Sequence, residues 1–183
     1  MDNYPKPGYR NNSIKLIETE RFNLFLENHT LENGTSHDYS IVKGPNWVSL
    51  VPITENNEFI MIWQYRPAWE RSSLEFPAGR LNYAEEEIFE AANRELQEET
   101  GFKANKLTQI GSFRPVTWTN QSCYYFKAEN LINSKLPEDA QEDLMVIKIK
   151  PSEFWSYVDN KSIIDKTTIT GYLLWNQSIS ELE

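Results

Sequence analysis

The chain has 183 residues, with 18 Lys and Arg against 27 Asp and Glu, a net charge of −9. That length suits one domain, or one domain with a small extension, and can bury a real core. The acidic balance argues against non-specific partnership with nucleic acid or an anionic membrane, and a single cysteine excludes an intrachain disulfide.

The chain opens without the apolar run of a signal peptide, and no stretch approaches the roughly 20 apolar residues of a membrane span. A cytoplasmic location is expected. Residues 1–12 are polar and Pro-rich and read as an arm. From Ser13 to about Val51, short alternating runs (Ile14–Ile17, Phe22–Leu26, Tyr39–Val42) separated by polar turns predict antiparallel strands. Trp47–Ile53 and Phe59–Tyr65, flanking Glu55-Asn56-Asn57-Glu58, read as a hairpin. Residues 84–100 predict a helix ended by Gly101. Strands follow at Leu107–Phe113, Ser122–Ala128 and Met145–Ile149. Cys123 lies within one of them and reads as a small buried thiol. Pro151 opens a second helix, and Ile169–Trp175 suggests a third. Strands on both sides of a central helix, with helices at the C-terminus, point to an α+β or α/β/α layered domain.

The central helix does not balance its charges. At 100° per residue, Ile88, Ala91, Ala92 and Leu96 form an inward stripe. Glu95, Glu98 and Glu99 fall on that same side, all within an arc of about 160°. Glu86, Glu90, Asn93, Arg94 and Gln97 read as a solvated face. Three carboxylates at i, i+3 and i+4 repel one another at the negative end of the helix dipole. Half-buried and unpartnered, they would be costly. One nearby arginine, Arg94, cannot neutralise three. A hard divalent cation, Mg²⁺ or Mn²⁺, can, because it prefers carboxylate oxygen.

These residues belong to a recognisable pattern. Gly79…Glu85-Glu86…Arg94-Glu95-Leu96-Gln97-Glu98-Glu99-Thr100-Gly101-Phe102 resembles the Nudix box, with every defined position from Arg94 to Phe102 matched. The segment before Arg94 carries one extra residue, so either Glu85 or Glu86 takes the place of the first box glutamate. The flanks, Gln64-Tyr65-Arg66 and Glu75-Phe76-Pro77-Ala78-Gly79, are similar to the ADP-ribose and nucleoside diphosphate sugar pyrophosphatase branch. The likeness covers roughly residues 14–175.

The resemblance implies a Nudix α/β/α sandwich with a mixed central sheet (residues 46–183) preceded by an N-terminal arm and dimerisation strands (residues 1–45). It implies a hydrolase of nucleotide-sugar diphosphates that works as a homodimer. Glu95, Glu98 and Glu99, with the backbone carbonyl of Ala78, would hold Mg²⁺ or Mn²⁺, and Arg94 would orient a carboxylate. Arg66 would contact substrate phosphates and Glu75 would lie near the metal. The general base would be Glu142 or Glu138 on the loop before the last strand, with Glu95 or Glu98 as alternatives. Thr117-Trp118 stands where the branch usually has Pro-Gly. Trp118 either stacks on a base or sugar or packs, and the change leaves GDP-mannose, a dinucleotide or NADH as alternative substrates. A ligand-binding protein without the chemistry is the rival from another class.

Overall fold

A computed structural model describes residues 6–82, 86–137 and 143–180. Glu85, Glu138 and Glu142 lie outside the described residues. The chain divides into two units, Met1–Pro45 with Arg114–Ser122, and Asn46–Phe113 with Cys123–Glu183.

The first unit holds a three-stranded antiparallel sheet of β1 (Tyr9–Glu18), β2 (Asn23–Thr30) and β3 (Ser36–Lys43). The expected arm is shorter than residues 1–12, because β1 begins at Tyr9 and pairs with Thr30. The loop Arg114–Ser122 joins this unit through a parallel bridge from Thr119 to Val42, whose N–H donates to the Trp118 carbonyl (2.9 Å).

The second unit contains two sheets. β4 (Trp47–Pro52), β7 (Ala78–Arg80), β8 (Phe102–Phe113) and β9 (Cys123–Asn133) form a mixed sheet in the order β7-β4-β9-β8, with β4 and β9 parallel. β5 (Phe59–Arg66), β6 (Arg71–Glu75) and β10 (Leu144–Ile149) form an antiparallel sheet in the order β10-β5-β6. Among the described residues, three helices complete the unit: α1 (Ile88–Thr100), α2 (Phe154–Asp159, entered through a 3-10 turn at Pro151–Glu153) and α3 (Lys166–Ser180). The α/β/α sandwich is therefore present. Val48, Leu50, Phe126, Ala91 and Leu96 form one buried cluster under α1. Val51, Phe59, Met61, Leu74, Phe76, Phe154 and Trp175 form the other, which involves α2 and α3.

The hairpin expected from Trp47 to Tyr65 is not formed. A tight turn, closed by Thr54 N–H to Glu58 carbonyl (2.9 Å), does join β4 to β5, but beyond one bridge between Ile53 and Phe59 the strands enter different sheets. Consecutive residues explain it: Leu50 and Val51, and Phe59 through Ile62, are wholly buried. Strands apolar on both faces need cover on both faces, which a hairpin with one solvated side does not give. The helix expected over 84–100 begins at Ile88, with Glu87 at its N-cap. It stops at Gly101, whose left-handed φ of 76° and N–H bond to the Gln97 carbonyl form a glycine C-cap. The third helix runs beyond the expected Ile169–Trp175, because Asp165 caps it by accepting from the Thr168 N–H (2.8 Å). Cys123 is buried, and burial pushes its thiol up to about 11. Among the described residues, no helix is long and apolar enough to cross a membrane.

In the first unit, Glu27 on β2 is buried and accepts from Lys43 Nζ (2.5 Å), Ser13 Oγ (2.9 Å) and Arg10 Nη1 (3.2 Å), with His29 Nε2 at 3.0 Å. Burial alone would raise its carboxyl, but these donors outweigh it and hold it at about 2, below an ordinary 4.5. A folded value below the unfolded one means stabilisation that is complete above pH 4.5 and is lost as pH falls toward about 2. Discounted for the solvent around Arg10 and Lys43, the contribution is about 2 kcal/mol. Thermal unfolding followed from pH 6 to pH 2 is expected to show this loss in the wild type and a flatter profile in Glu27→Gln. Parallel profiles would contradict it.

Candidate active site

Three successive residues of β7 meet three residues of α1. The Ala78 N–H donates to Glu99 Oε2 (3.0 Å) and the Arg80 carbonyl accepts from Arg94 Nη2 (2.8 Å). Between them, Gly79 lies so close to Glu95 that a Cβ there would sit 2.0–2.2 Å from its carboxylate atoms. Glycine at this position is a matter of space, since any side chain would drive Glu95 away.

Arg94 is the hub. Its Nε donates to Glu86 Oε1 (2.9 Å) and Nη2 donates to Glu86 Oε2 (3.2 Å) as well as to the Arg80 carbonyl. Nη1 donates to Glu95 Oε1 (2.7 Å) and Glu98 Oε2 (2.9 Å). All five guanidinium donors are therefore used. Burial alone would lower the Arg94 pKa, but the bonds to Glu86 and the pull of Glu95 outweigh it and hold it above its ordinary value. Glu86 is lowered, chiefly by Arg94. The expectation that Arg94 and Glu86 lie on a solvated face is thus corrected: Glu86 precedes the helix, bonds the Asn82 N–H (2.7 Å) and turns back to Arg94. The wheel placed Arg94 by its backbone angle, whereas its long side chain reaches round to the carboxylates.

The inward placement of the glutamates holds. Glu99 is buried, and Glu95 and Glu98 are partly covered. Among the described residues, no three His, Cys, Asp or Glu side chains already form a metal cage. Glu95 and Glu98 are bridged by Arg94 instead. The residues nonetheless fit a hard cation. Their donors are carboxylate oxygens on one helix face, and Glu95 and Glu98, together with Glu86 from before the helix, face one guanidinium.

A second ion pair lies on the β5–β6 sheet. Arg66 Nε donates to both oxygens of Glu75 (3.1 and 3.2 Å) and Nη2 donates to Oε2 (2.6 Å). Gln64, a buried residue that the motif reading left without a role, adds Nε2 to Glu75 Oε2 (3.3 Å). Burial pushes the Glu75 carboxyl up against the pull of Arg66. Burial acts to lower Arg66, but Glu75 overrides it, and Glu99 adds to the pull. The field of Glu99 thus reaches Arg66, which links this pair to the helix carboxylates. The segment after Glu75 is fixed by Thr168 on α3, whose Oγ1 accepts from the Phe76 N–H (3.1 Å) and donates to Asp165 (3.0 Å). No sequence motif marked Asp165 or Thr168; the Asp-x-x-Thr spacing before an apolar helix was the available signal. Trp118 belongs to the first unit and its ring is exposed.

The matching family model makes this α/β/α sandwich, with its row of helix carboxylates gathered on an arginine against a glycine-bearing strand, a Nudix hydrolase. The NUDIX domain matches residues 45–159, and the chain belongs to the Nudix family, in its ADP-ribose pyrophosphatase branch. It is 33% identical over 148 residues to an ADP-ribose pyrophosphatase of Bacillus subtilis (strain 168), covering 79% of this chain and 80% of that one. It is 30% identical over 164 residues to a methanol dehydrogenase activator of Bacillus methanolicus, covering 85% and 88%. A crystal structure of an ADP compounds hydrolase superposes with a TM-score of 0.87 at 22% identity, over 99% of this chain and 98% of that one.

Gly79→Ala is expected to remain folded while losing about 1–3 kcal/mol of stability through overpacking. Its hydrolytic rate should fall at least about 100-fold, since a displacement of about 1 Å at reacting groups costs that much. A variant with wild-type activity would show that Glu95 need not stay against β7.

Proposed function

We propose that the chain hydrolyses the diphosphate bridge of ADP-ribose or a related nucleoside diphosphate sugar in a Mg²⁺-dependent reaction, with Mn²⁺ able to substitute. The products are a nucleoside monophosphate and a sugar phosphate. The observation that carries the reading is the Glu95–Arg94–Glu98 bridge packed under β7. The substrate class is supported by the Arg66–Glu75 pair and by the likeness to the Bacillus subtilis ADP-ribose pyrophosphatase.

Glu95, Glu98 and Glu99, with the Ala78 carbonyl, would hold the cation. Bound there, it supplies charge neutralisation at the diphosphate and acidifies a coordinated water. The protein's own groups do the rest. Arg94 keeps Glu95 and Glu98 at fixed spacing. Arg66 binds a phosphate, oriented by Glu75. A carboxylate of the loop before β10, Glu142 or Glu138, accepts the proton of the attacking water as the bridging P–O bond breaks. Two copies form the working enzyme. In support, β1 exposes Tyr9, Ile14, Leu16 and Ile17, each more than half open, an apolar strand surface that a second copy would cover.

Purified protein with Mg²⁺ is expected to release AMP from ADP-ribose, and a panel with GDP-mannose, UDP-glucose, NADH and dinucleoside polyphosphates ranks the substrates. Glu98→Gln should lower kcat by at least about 1,000-fold with an unchanged melting temperature. Wild-type turnover in that variant would remove Glu98 from the chemistry, and no monophosphate from any substrate would overturn the proposal. Light scattering should give twice the chain mass for the wild type and less for Ile14→Asp; a wild-type monomer would contradict the dimer.

A further inference from the structure

The β5–β6 connection places two arginines face to face. In the antiparallel register Arg66 stands directly opposite Arg71, so both side chains leave the same face of the sheet as Gln64 and Glu75. Like charges at such a position are destabilising. The pairing is set by a short 3-10 turn at Pro67–Trp69 and by Glu70, whose left-handed φ of 52° is strained for a non-glycine residue. The two cations are treated differently. Arg66 is forked onto a buried carboxylate. Arg71 is exposed, and among the described residues its hydrogen bond runs to a neutral acceptor, the Lys161 carbonyl (2.6 Å). One guanidinium of the pair thus keeps its charge available. It does so in a chain that is acidic overall.

We propose that Arg71 is a second phosphate-binding residue, which together with Arg66 grips the two phosphates of a nucleoside diphosphate. Arg66, held by Glu75, is the fixed half of the grip. Arg71 leaves the Lys161 carbonyl and closes on the second phosphate, where a guanidinium makes a two-pronged, charge-assisted contact. The proposal deepens the hydrolase reading above and rests on it for the identity of the natural substrate.

The test is calorimetric titration of ADP and of AMP, with chelator present to exclude divalent ions, into the full chain as wild type, R71Q and R71K, together with steady-state kinetics on ADP-ribose. Arg71 is exposed, and the melting temperature of each variant verifies that it is folded. The wild type is expected to bind ADP about tenfold more tightly than AMP, R71Q to lose that preference, and R71K to keep part of it. With ADP-ribose, R71Q should raise KM about tenfold and leave kcat within about twofold, the pattern of lost uniform binding. An undiminished preference for ADP in R71Q, or no preference in the wild type, overturns the grip. An Arg71-dependent preference in a wild type that hydrolyses no nucleoside diphosphate compound upholds the grip and overturns the hydrolase reading instead.

Discussion

Five N–H groups of one guanidinium hold the site together. Arg94 joins a carboxylate that precedes the helix (Glu86), two carboxylates of the helix (Glu95 and Glu98) and the carbonyl of Arg80 on β7. Each of those groups would cost several kcal/mol if left partly buried without a partner. The strand, the loop and the helix are thereby fixed by a single side chain with a rigid fork geometry. The same arrangement leaves more negative than positive charge at the hub, which is the condition a divalent cation relieves.

The surrounding structure serves that constraint. β7 is only three residues long, yet each of them makes a different contact with α1, and Gly79 allows the closest. β7 pairs with β4 along its other edge, so the position of the helix carboxylates is carried into the mixed sheet. The Phe76 N–H to Thr168 bond ties the segment between Glu75 and Ala78 to α3. The Arg66–Glu75 pair and the helix carboxylates are therefore tied to a common frame built from both layers of helices.

Much of this was legible in the sequence, and the exceptions have physical reasons. Helical periodicity placed Glu95, Glu98 and Glu99 on the inward side, because burial of Leu96 and Ala92 fixes the rotation of the helix. The same wheel misplaced Arg94, because it records where a Cβ points and not where a seven-atom side chain ends. The runs at 47–53 and 59–65 were correctly read as strands but wrongly paired, since local sequence does not show which sheet a doubly buried strand enters. The box motif left Glu85 and Glu86 unresolved by spacing, whereas the structure pairs Glu86 with Arg94. Gln64, Arg71, Asp165 and Thr168 carry contacts that depend on strand register and loop docking, which no single-residue pattern encodes. Arg66 and Glu75, singled out in the sequence on either side of the β5–β6 turn, are found forked together.

The central claim is that the acidic face of α1 holds a divalent cation. Titration of Mn²⁺ followed by electron paramagnetic resonance, in the wild type and in Glu95→Gln with Glu98→Gln, tests it without requiring a substrate. The free Mn²⁺ signal should be quenched by stoichiometric wild-type protein and be restored with the double variant, at unchanged circular dichroism. Equal quenching by both proteins would place the cation elsewhere and contradict the assignment.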